Sequence, residues 1–255
     1  MFSYSILQWI MFFYIYCFIG WCIESTIVSI ESKKFIDRGF LRLPMLPIYG
    51  FGALAMLFSS LPVKESPVLV YIFAGLTATL LELITGLIME SLFKVKYWDY
   101  SSQKYNYKGI ICIQSSLFWG FLALLLTYNL HELVEKIAFK FSHNALLLTV
   151  VIISVLFISD TIFSVKSAFD IRYVMENLSA AREEINRLIA QKVENSEKAN
   201  AFKERISKLT LERQRLISRL SLINRLQIRS HPKATSSRFT EAYKEIKEAI
   251  NKRIK

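Results

Sequence analysis

The 25 residues from 68 to 92 read "VLVYIFAGLTATLLELITGLIMESL", and only Glu82 and Glu90 among them are charged. An apolar run of this length crosses about 30 Å of hydrocarbon as a helix. Its backbone hydrogen bonds are then satisfied within the segment, which lipid demands. Four further apolar runs lie at 5–28, 46–61, 110–130 and 145–165. The pattern predicts an all-α, polytopic membrane protein with five membrane segments.

The second apolar run, 46–61, is the shortest. Pro44 and Pro47 stand at its start and Pro62 directly follows it. At about 1.5 Å per residue, a helix of this length barely crosses the hydrocarbon layer. Two interpretations stay open: a short span, or a half-helix continuing a re-entrant stretch whose backbone other parts of the protein cover.

Charge divides the chain into two parts. Residues 1–165 contain 11 Lys and Arg against 10 Asp and Glu, whereas residues 166–255 contain 21 against 11. The sequence therefore predicts a nearly neutral membrane domain at 1–165 and a basic helical tail at 166–255. Lys and Arg also concentrate in the loops 29–43 and 93–109, which places these loops and the tail in the cytoplasm and the N-terminus outside.

Two glutamate steps indicate an internal repeat. "GWCIES" (20–25) ends the first apolar run and "GLIMES" (86–91) ends the third. Each is followed by a basic loop and a second apolar run with an aromatic-Gly-Phe step. The matched positions after the glutamates are Arg38-Gly39 with Lys108-Gly109, and Tyr49-Gly50 with Trp119-Gly120. The sequence predicts two parallel helix pairs, with Glu24 and Glu90 as equivalent residues near the cytoplasmic face.

Glu82 lies two turns deeper than Glu90 and shares a helix face with Gly86. A carboxylate in a membrane helix faces the protein interior, binds a proton or has a charged partner. We therefore predict a substrate or ion path that faces the cytoplasm. It consists of Glu24, Glu82, Glu90, Arg38, Arg42, Asp99 and Lys108. For Glu24 and Glu90, an ordinary position at the membrane interface beside the loop basics is an equally good interpretation.

A second set of residues is predicted to shape the helix pairs and their loops. Glycines permit close helix approach, prolines bound the short run, and aromatic residues anchor membrane interfaces. This set consists of Gly39, Pro44, Pro47, Tyr49, Gly50, Trp98, Gly109, Trp119 and Gly120. No catalytic residue, metal ligand or cofactor site is predicted, and His131, His143 and His231 are interpreted as ordinary surface residues.

Two stretches, "RGFLRLPMLPIYGFGAL" (38–54) and "YWDYSSQKYNYKGIICIQSSLFWG" (97–120), carry a family resemblance. Over about residues 1–165 the chain resembles the bacterial ABC-transporter type IV membrane family, the CmpB-like permeases. The resemblance implies a permease-like subunit in the bacterial cytoplasmic (inner) membrane. The sequence contains no Gly-x-x-x-x-Gly-Lys-Ser/Thr phosphate loop, so ATP hydrolysis by that route would need a separate ATPase subunit. A homo-oligomer is expected, because five spans are few to enclose a path.

Two other functions stay open. Arg38 and Arg42 could hold a lipid phosphate head group, as in a membrane enzyme or a lipid-binding protein. Alternatively, the tail could make the protein a membrane-anchored scaffold or signalling protein. Membrane lipid is the expected partner in every case, and no nucleic-acid partner is expected, because no base-reading motif accompanies the basic charge.

The tail itself predicts two helical features. Apolar residues between 171 and 230 follow a 4-3 spacing, which is typical of a coiled coil or of a single amphipathic helix. The spacing runs through Phe202, Ile206, Leu209, Arg213, Leu216, Leu220 and Ile223, and upstream through Ile185, Leu188, Lys192, Asn195 and Ala199, with polar residues at some of these positions. A short basic amphipathic helix is expected at 238–254, where its charge would attract anionic lipid.

Overall fold

The computed structural model describes residues 4–190 and 196–252, and in this part of the chain it is almost entirely helical. The helices are α1 (Ile6–Ser32), α2 (Pro47–Ser60), α3 (Pro67–Phe93), α4 (Ile113–Leu125), α5 (His131–Phe139), α6 (His143–Ala190), α7 (Ser196–Ser218), α8 (Leu222–Arg229) and α9 (Thr240–Lys252). A two-stranded antiparallel ladder, β1 (Asn106–Tyr107) and β2 (Ile111–Cys112), forms the only sheet among the described residues.

Four helices are long and apolar enough to cross a membrane: Ile6–Ser32, Pro67–Phe93, Ile113–Phe139 and His143–Ala190. The helix Ile113–Phe139 joins α4 to α5 through a π-helical segment, Leu126–Leu130. The remaining predicted segment is a shorter apolar helix, Pro47–Val63. Its α-helical part, α2, has 14 residues and is about 21 Å long. The structure thus supports a helical membrane protein, whereas the predicted count of five spans is not confirmed.

α1 and α3 are built alike. Each has 27 residues, begins after a serine whose side chain accepts a backbone hydrogen bond, and ends at a lysine in the left-handed conformation. The two serines are Ser5 and Ser66, and the two lysines are Lys33 and Lys94. Side-chain caps satisfy backbone N–H groups that a helix start leaves without partners, so both helices begin and end at defined residues.

Glycines bring the second helix of each pair against the first. A Cβ added at Gly50 of α2 would lie 2.5 Å from Cys17 Sγ and 2.6 Å from Phe13 Cδ2, both on α1. Gly120 of α4 meets the Tyr71 ring of α3 in the same way, at 2.5 Å. At both positions the absence of a side chain lets the two helices of the pair approach closely.

α6 continues for 48 residues through the predicted domain boundary at 165, without a break in the helix. α7 then packs back against α6 of the same chain, where Leu209 joins Ala181 and Ile185 and where Arg205 pairs with Glu184. The predicted coiled-coil tail is not confirmed, because Leu209 and its neighbours are buried within one chain. Two positions of the upstream register, Lys192 and Asn195, lie outside the described residues.

The C-terminal elements dock on the loops that follow α1 and α3. We call this end of the bundle the tail side. Asn224 of α8 donates to Ser167 Oγ at 2.8 Å, and Thr235 forms a β-bridge with Lys96. The apolar face of α9 is buried here, with Tyr243, Ile246 and Ile250 all at most 4% exposed. That face therefore packs on protein, which leaves only the charged face of α9 for lipid.

The prediction for two of the three histidines was wrong. His131 is buried where α5 begins, and Tyr16 Oη lies 2.8 Å from its Nδ1. His231 is buried on the tail side with its ring 4.8 Å from that of Tyr97. Both were assigned to the surface because His131 falls in the predicted outer loop and His231 in the polar tail. His143 is exposed, as predicted.

Candidate functional site

Glu82 is a buried carboxylate on α3 and is 4% exposed. Trp119 Nε1 of α4 donates to its Oε2 at 2.9 Å, and Tyr100 Oη from the second loop donates to its Oε1 at 3.2 Å. Ser115 Oγ is 3.5 Å from Oε2. Among the described residues, no basic side chain pairs with Glu82, so every donor it has is neutral.

The Tyr100 hydroxyl is well suited to remain a donor. Burial and the neighbouring Glu82 carboxylate raise the pKa of Tyr100 above its usual range. Both effects disfavour a second negative charge at this place. Tyr100 therefore keeps its proton at physiological pH and can hydrogen-bond to Glu82 whether or not Glu82 is ionised.

Glu24 of α1 has a similar arrangement with one important difference. Tyr49 Oη of α2 donates to its Oε1 at 2.8 Å. Arg38 from the first loop places its Nε 3.6 Å from the other carboxylate oxygen. Each carboxylate thus has an aromatic donor from the second helix of its pair and a partner from its loop, and Glu82 has Ser115 of α4 in addition. Glu24 receives a cation from the loop, whereas Glu82 receives a phenol.

These contacts correct the predicted register of the repeat. Phe13, Cys17 and Glu24 each lie 58 positions before Tyr71, Gly75 and Glu82. Gly50 packs on the first two residues of the first set, and Gly120 packs on the corresponding two of the second. Glu24 therefore corresponds to Glu82 and not to Glu90. The Gly-x-x-x-Glu-Ser similarity was misleading because it aligned residues that lie at different positions along α1 and α3.

Glu90 lies outside this paired arrangement. It accepts a hydrogen bond from Ser237 of the tail, and its Oε1 is 4.0 Å from Lys96 Nζ. It is thus part of the contact between α3 and the C-terminal segment. The prediction that Glu90 and Glu24 share one depth beside a path was wrong.

The two carboxylate sites meet between the second helices. The rings of Tyr49 and Trp119 pack edge to face with centroids 6.1 Å apart. Glu24 and Glu82 are close enough for their charges to interact. We call these six residues the paired carboxylate site: Glu24, Arg38, Tyr49, Glu82, Tyr100 and Trp119.

Three other predicted path residues are used elsewhere. Arg42 pairs with Asp160 of α6 at 2.7 Å, and the same carboxylate accepts the backbone N–H groups of Arg42 and Leu43 at 2.8 Å. Asp99 accepts hydrogen bonds from Ser101 and Thr235. Lys108 contacts the Tyr107 ring, and its carbonyl accepts from Lys96. The structure does not bring these residues to Glu24 or Glu82.

The electrostatics of Asp99 fit a structural role in the second loop. Its burial by itself would raise its pKa, but hydrogen bonds from Ser101 and Thr235 and the charge of Lys96 outweigh burial. The pKa of Asp99 is therefore lowered, and the residue stays ionised as a cap for the loop backbone.

The predicted loop residues have structural positions in or next to the two loops. Pro47 is the first residue of α2, and Gly109 has a φ of +69°, which favours glycine. Trp98 Nε1 donates to the Ile110 carbonyl at 2.8 Å, which holds the second loop over Gly86. Gly39 is buried, and its carbonyl accepts from Ser230 of the tail. Pro44 lies in the short connection between the Asp160 contact and α2.

Sequence reasoning missed the roles of Tyr49 and Trp119, which it interpreted as interface anchors, and it did not include Tyr100 among the candidate site residues. The sequence did show that these residues lie beside a glycine or in a basic loop. It does not distinguish an aromatic ring at the membrane interface from one that hydrogen-bonds to a buried carboxylate. A cavity of about 550 Å³ does exist on the tail side, but neither Glu24 nor Glu82 lines it.

Comparisons with known proteins agree with this architecture. A family model described as "Putative ABC-transporter type IV" matches residues 11–165, which is more than half of the chain and includes the whole paired carboxylate site. No curated protein and no solved structure matches the chain. The membrane-spanning helices and the family match both fit a location in a membrane. The chain therefore belongs to the Putative ABC-transporter type IV family.

Proposed function

We propose that this protein is a permease-like membrane subunit of a transporter, with its path at the paired carboxylate site. The single observation that carries the proposal is the environment of Glu82. It is buried in an apolar helix and has three neutral donors. An ionised carboxylate at the centre of a membrane helix costs about 2.5–3.5 kcal/mol on insertion scales. Glu82 is thus a group that can take up and release a proton or a small cation.

Glu24 complements Glu82 in this proposal. It has a cationic partner in Arg38, whereas the donors to Glu82 are all neutral. A proton or a small cation bound at Glu82 would lie beside neutral donors and not beside a basic side chain. In this proposal the Glu24–Arg38 pair supplies fixed charges, and Glu82 binds and releases the proton or cation.

The assembly we propose follows from the chain and its family. A separate ATPase subunit would supply the energy, because the sequence has no phosphate loop. Two or more copies would enclose the path, since one copy contributes few spanning helices. The basic loops and tail would lie in the cytoplasm of a bacterium, with the N-terminus outside the inner membrane.

The test uses the assembly as it exists. Tagged protein is purified in mild detergent from its native membrane, its companions are identified by mass spectrometry, and the complex is reconstituted in liposomes. Proton flux is then followed with a trapped pH dye, with and without ATP. We expect a reproducible ATPase companion and a flux that the Glu82→Gln variant lowers to the level of empty liposomes.

Glu90→Gln is the matched control, because it removes a carboxylate from the same helix but outside the paired site. It should retain both the companion and the flux. Equal flux in the wild type and the Glu82→Gln variant would contradict the proposed path. The absence of any ATPase companion would contradict the proposed assembly.

A further inference from the structure

The cavity on the tail side has the composition of a binding site. It holds about 550 Å³ between the first loop, the lower part of α6, and the elements α8 and α9. Four basic residues line it, against a single carboxylate, Asp37. The four are Lys34, Arg42, Arg229 and Lys247. Asp37 already accepts a hydrogen bond from Trp21 Nε1 at 2.7 Å, so the wall is positive overall.

Two of these basic residues are available to an anion. Arg42 is paired with Asp160, and Lys247 Nζ donates to the carbonyls of Pro232 and Ala234. Lys34 and Arg229 are both exposed, and over residues 4–190 and 196–252 neither has an acidic partner. The guanidinium of Arg229 and the ammonium of Lys34 are thus free to bind phosphate oxygens.

Two buried polar oxygens in the same wall lack partners. Ser164 is 1% exposed and Gln227 is 7% exposed, and both line the cavity. Within the part of the chain that the structure describes, neither Ser164 Oγ nor Gln227 Oε1 has a hydrogen-bond partner. Buried polar groups nearly always have partners, so this pair points to a ligand. The hydroxyl can donate to a phosphate, and the amide oxygen requires a donor such as an alcohol.

The rest of the wall is apolar and reaches the surface. Phe40 and Leu41 line the cavity with Ile250, while Phe35 and Leu226 stand at its edge and are 76% and 47% exposed. A ligand that fits all these features carries a phosphate, hydroxyl groups and an apolar portion. Phosphatidylglycerol has this combination, and basic pockets beside membrane helices bind anionic head groups.

We propose that this cavity binds the phosphate and glycerol of an anionic membrane lipid, through Lys34, Arg229, Ser164 and Gln227. The site is separate from the paired carboxylate site and does not depend on the proposed transport. It also differs from the lipid site expected from the sequence. Arg38 does not line it, because Arg38 contacts Glu24 and the carbonyl of Ser230.

The test measures lipid binding to the full chain in detergent by native mass spectrometry. Phosphatidylglycerol and phosphatidylcholine are titrated separately, and inorganic phosphate is added as a competitor. The variant is Lys34→Gln with Arg229→Gln. Its control is Lys104→Gln with Arg187→Gln, which removes the same charge from exposed residues outside the cavity. We expect the variant to bind phosphatidylglycerol at least about tenfold more weakly, and the control to bind as the wild type does.

Each other outcome has a defined meaning. Equal loss in the variant and the control would show general charge attraction and overturn the site. Equal binding of both lipids would overturn it as well. Displacement of the lipid by inorganic phosphate at equal concentration would assign the cavity to free phosphate and overturn the lipid part. A smaller loss in Ser164→Ala, with no change for phosphatidylcholine, would support the placement of the phosphate.

Discussion

The two halves of the membrane bundle share their helix packing and the position of a carboxylate, but only the first half has a cation beside that carboxylate. In each half a carboxylate of the first helix meets an aromatic ring of the second, and a glycine next to that ring holds the helices together. The first loop adds Arg38 to this arrangement, and the second adds Tyr100. The helix packing is thus alike in both halves, whereas the partner from the loop is a cation in the first half and a phenol in the second.

The largest effect is expected from making the second half resemble the first. Tyr100→Arg would place a cation beside Glu82, as Arg38 lies beside Glu24, and this fixed cation would compete with a proton or a small cation for the Glu82 carboxylate. Proton flux in the reconstituted complex should then fall to the level of Glu82→Gln. Tyr107→Arg is the control, because it adds the same cation to an exposed residue of the same loop. Normal flux with Tyr100→Arg would show that the missing cation is irrelevant.

An intermediate effect is expected from breaking the shared packing. Gly50→Ala and Gly120→Ala each force a methyl group to within about 2.5 Å of a side chain on the neighbouring helix. Overpacking of this kind costs about 1–3 kcal/mol. Both changes should lower the free energy of unfolding in detergent, and by similar amounts if the halves are equivalent.

Gly52→Ala is the control for this pair, since a Cβ there would meet nothing within 4 Å. Alanine favours helix over glycine, so this change should be neutral or stabilising. Denaturant titration of the purified variants measures all three. A stability loss at only one of Gly50 and Gly120 would contradict the register that matches Glu24 with Glu82.

The smallest effect concerns the pH dependence with which the tail segment containing His231 docks on the loops of the bundle. Burial, and then the charge of Arg38, lower the pKa of His231 well below its ordinary value of 6.5. The undocked tail would bind a proton near pH 6.5, but the docked tail would not. Docking is therefore complete above about pH 6.5 and weakens as the pH falls, by up to about 1.4 kcal/mol per pH unit.

Hydrogen exchange of the amides at 222–240, corrected for intrinsic rates, measures this dependence between pH 7.5 and 5. His231→Asn should remove it, whereas His143→Asn, a change at an exposed residue, should preserve it. Exchange that slows as the pH falls would reverse the predicted sign.

The sequence predicted the parts of this fold that follow from hydropathy. Long apolar runs identified α1, α3 and α6, and recurring glycines identified the helix pairs. It could not show that α6 passes residue 165 unbroken, because polar residues after 165 suit a surface helix equally well. Nor could sequence similarity show how deep in its helix a residue lies, so Glu24 was matched with Glu90 and not with Glu82. The burial of His231 depends on docking between residues nearly 200 positions apart, which no local pattern records.

The uninterrupted course of α6 has a mechanical consequence. Its 48 residues form a rod of about 72 Å, of which about 37 Å extends beyond residue 165. Near the point of emergence the rod holds α8 through Ser167, and further out it holds α7. A tilt of about 5° at the bundle would move its far end by about 3 Å, given that length. α6 thus acts as a lever. Close to the bundle it carries α8, which leads into Ser230 and its contact with Arg38, and further out it packs with the basic helix α7.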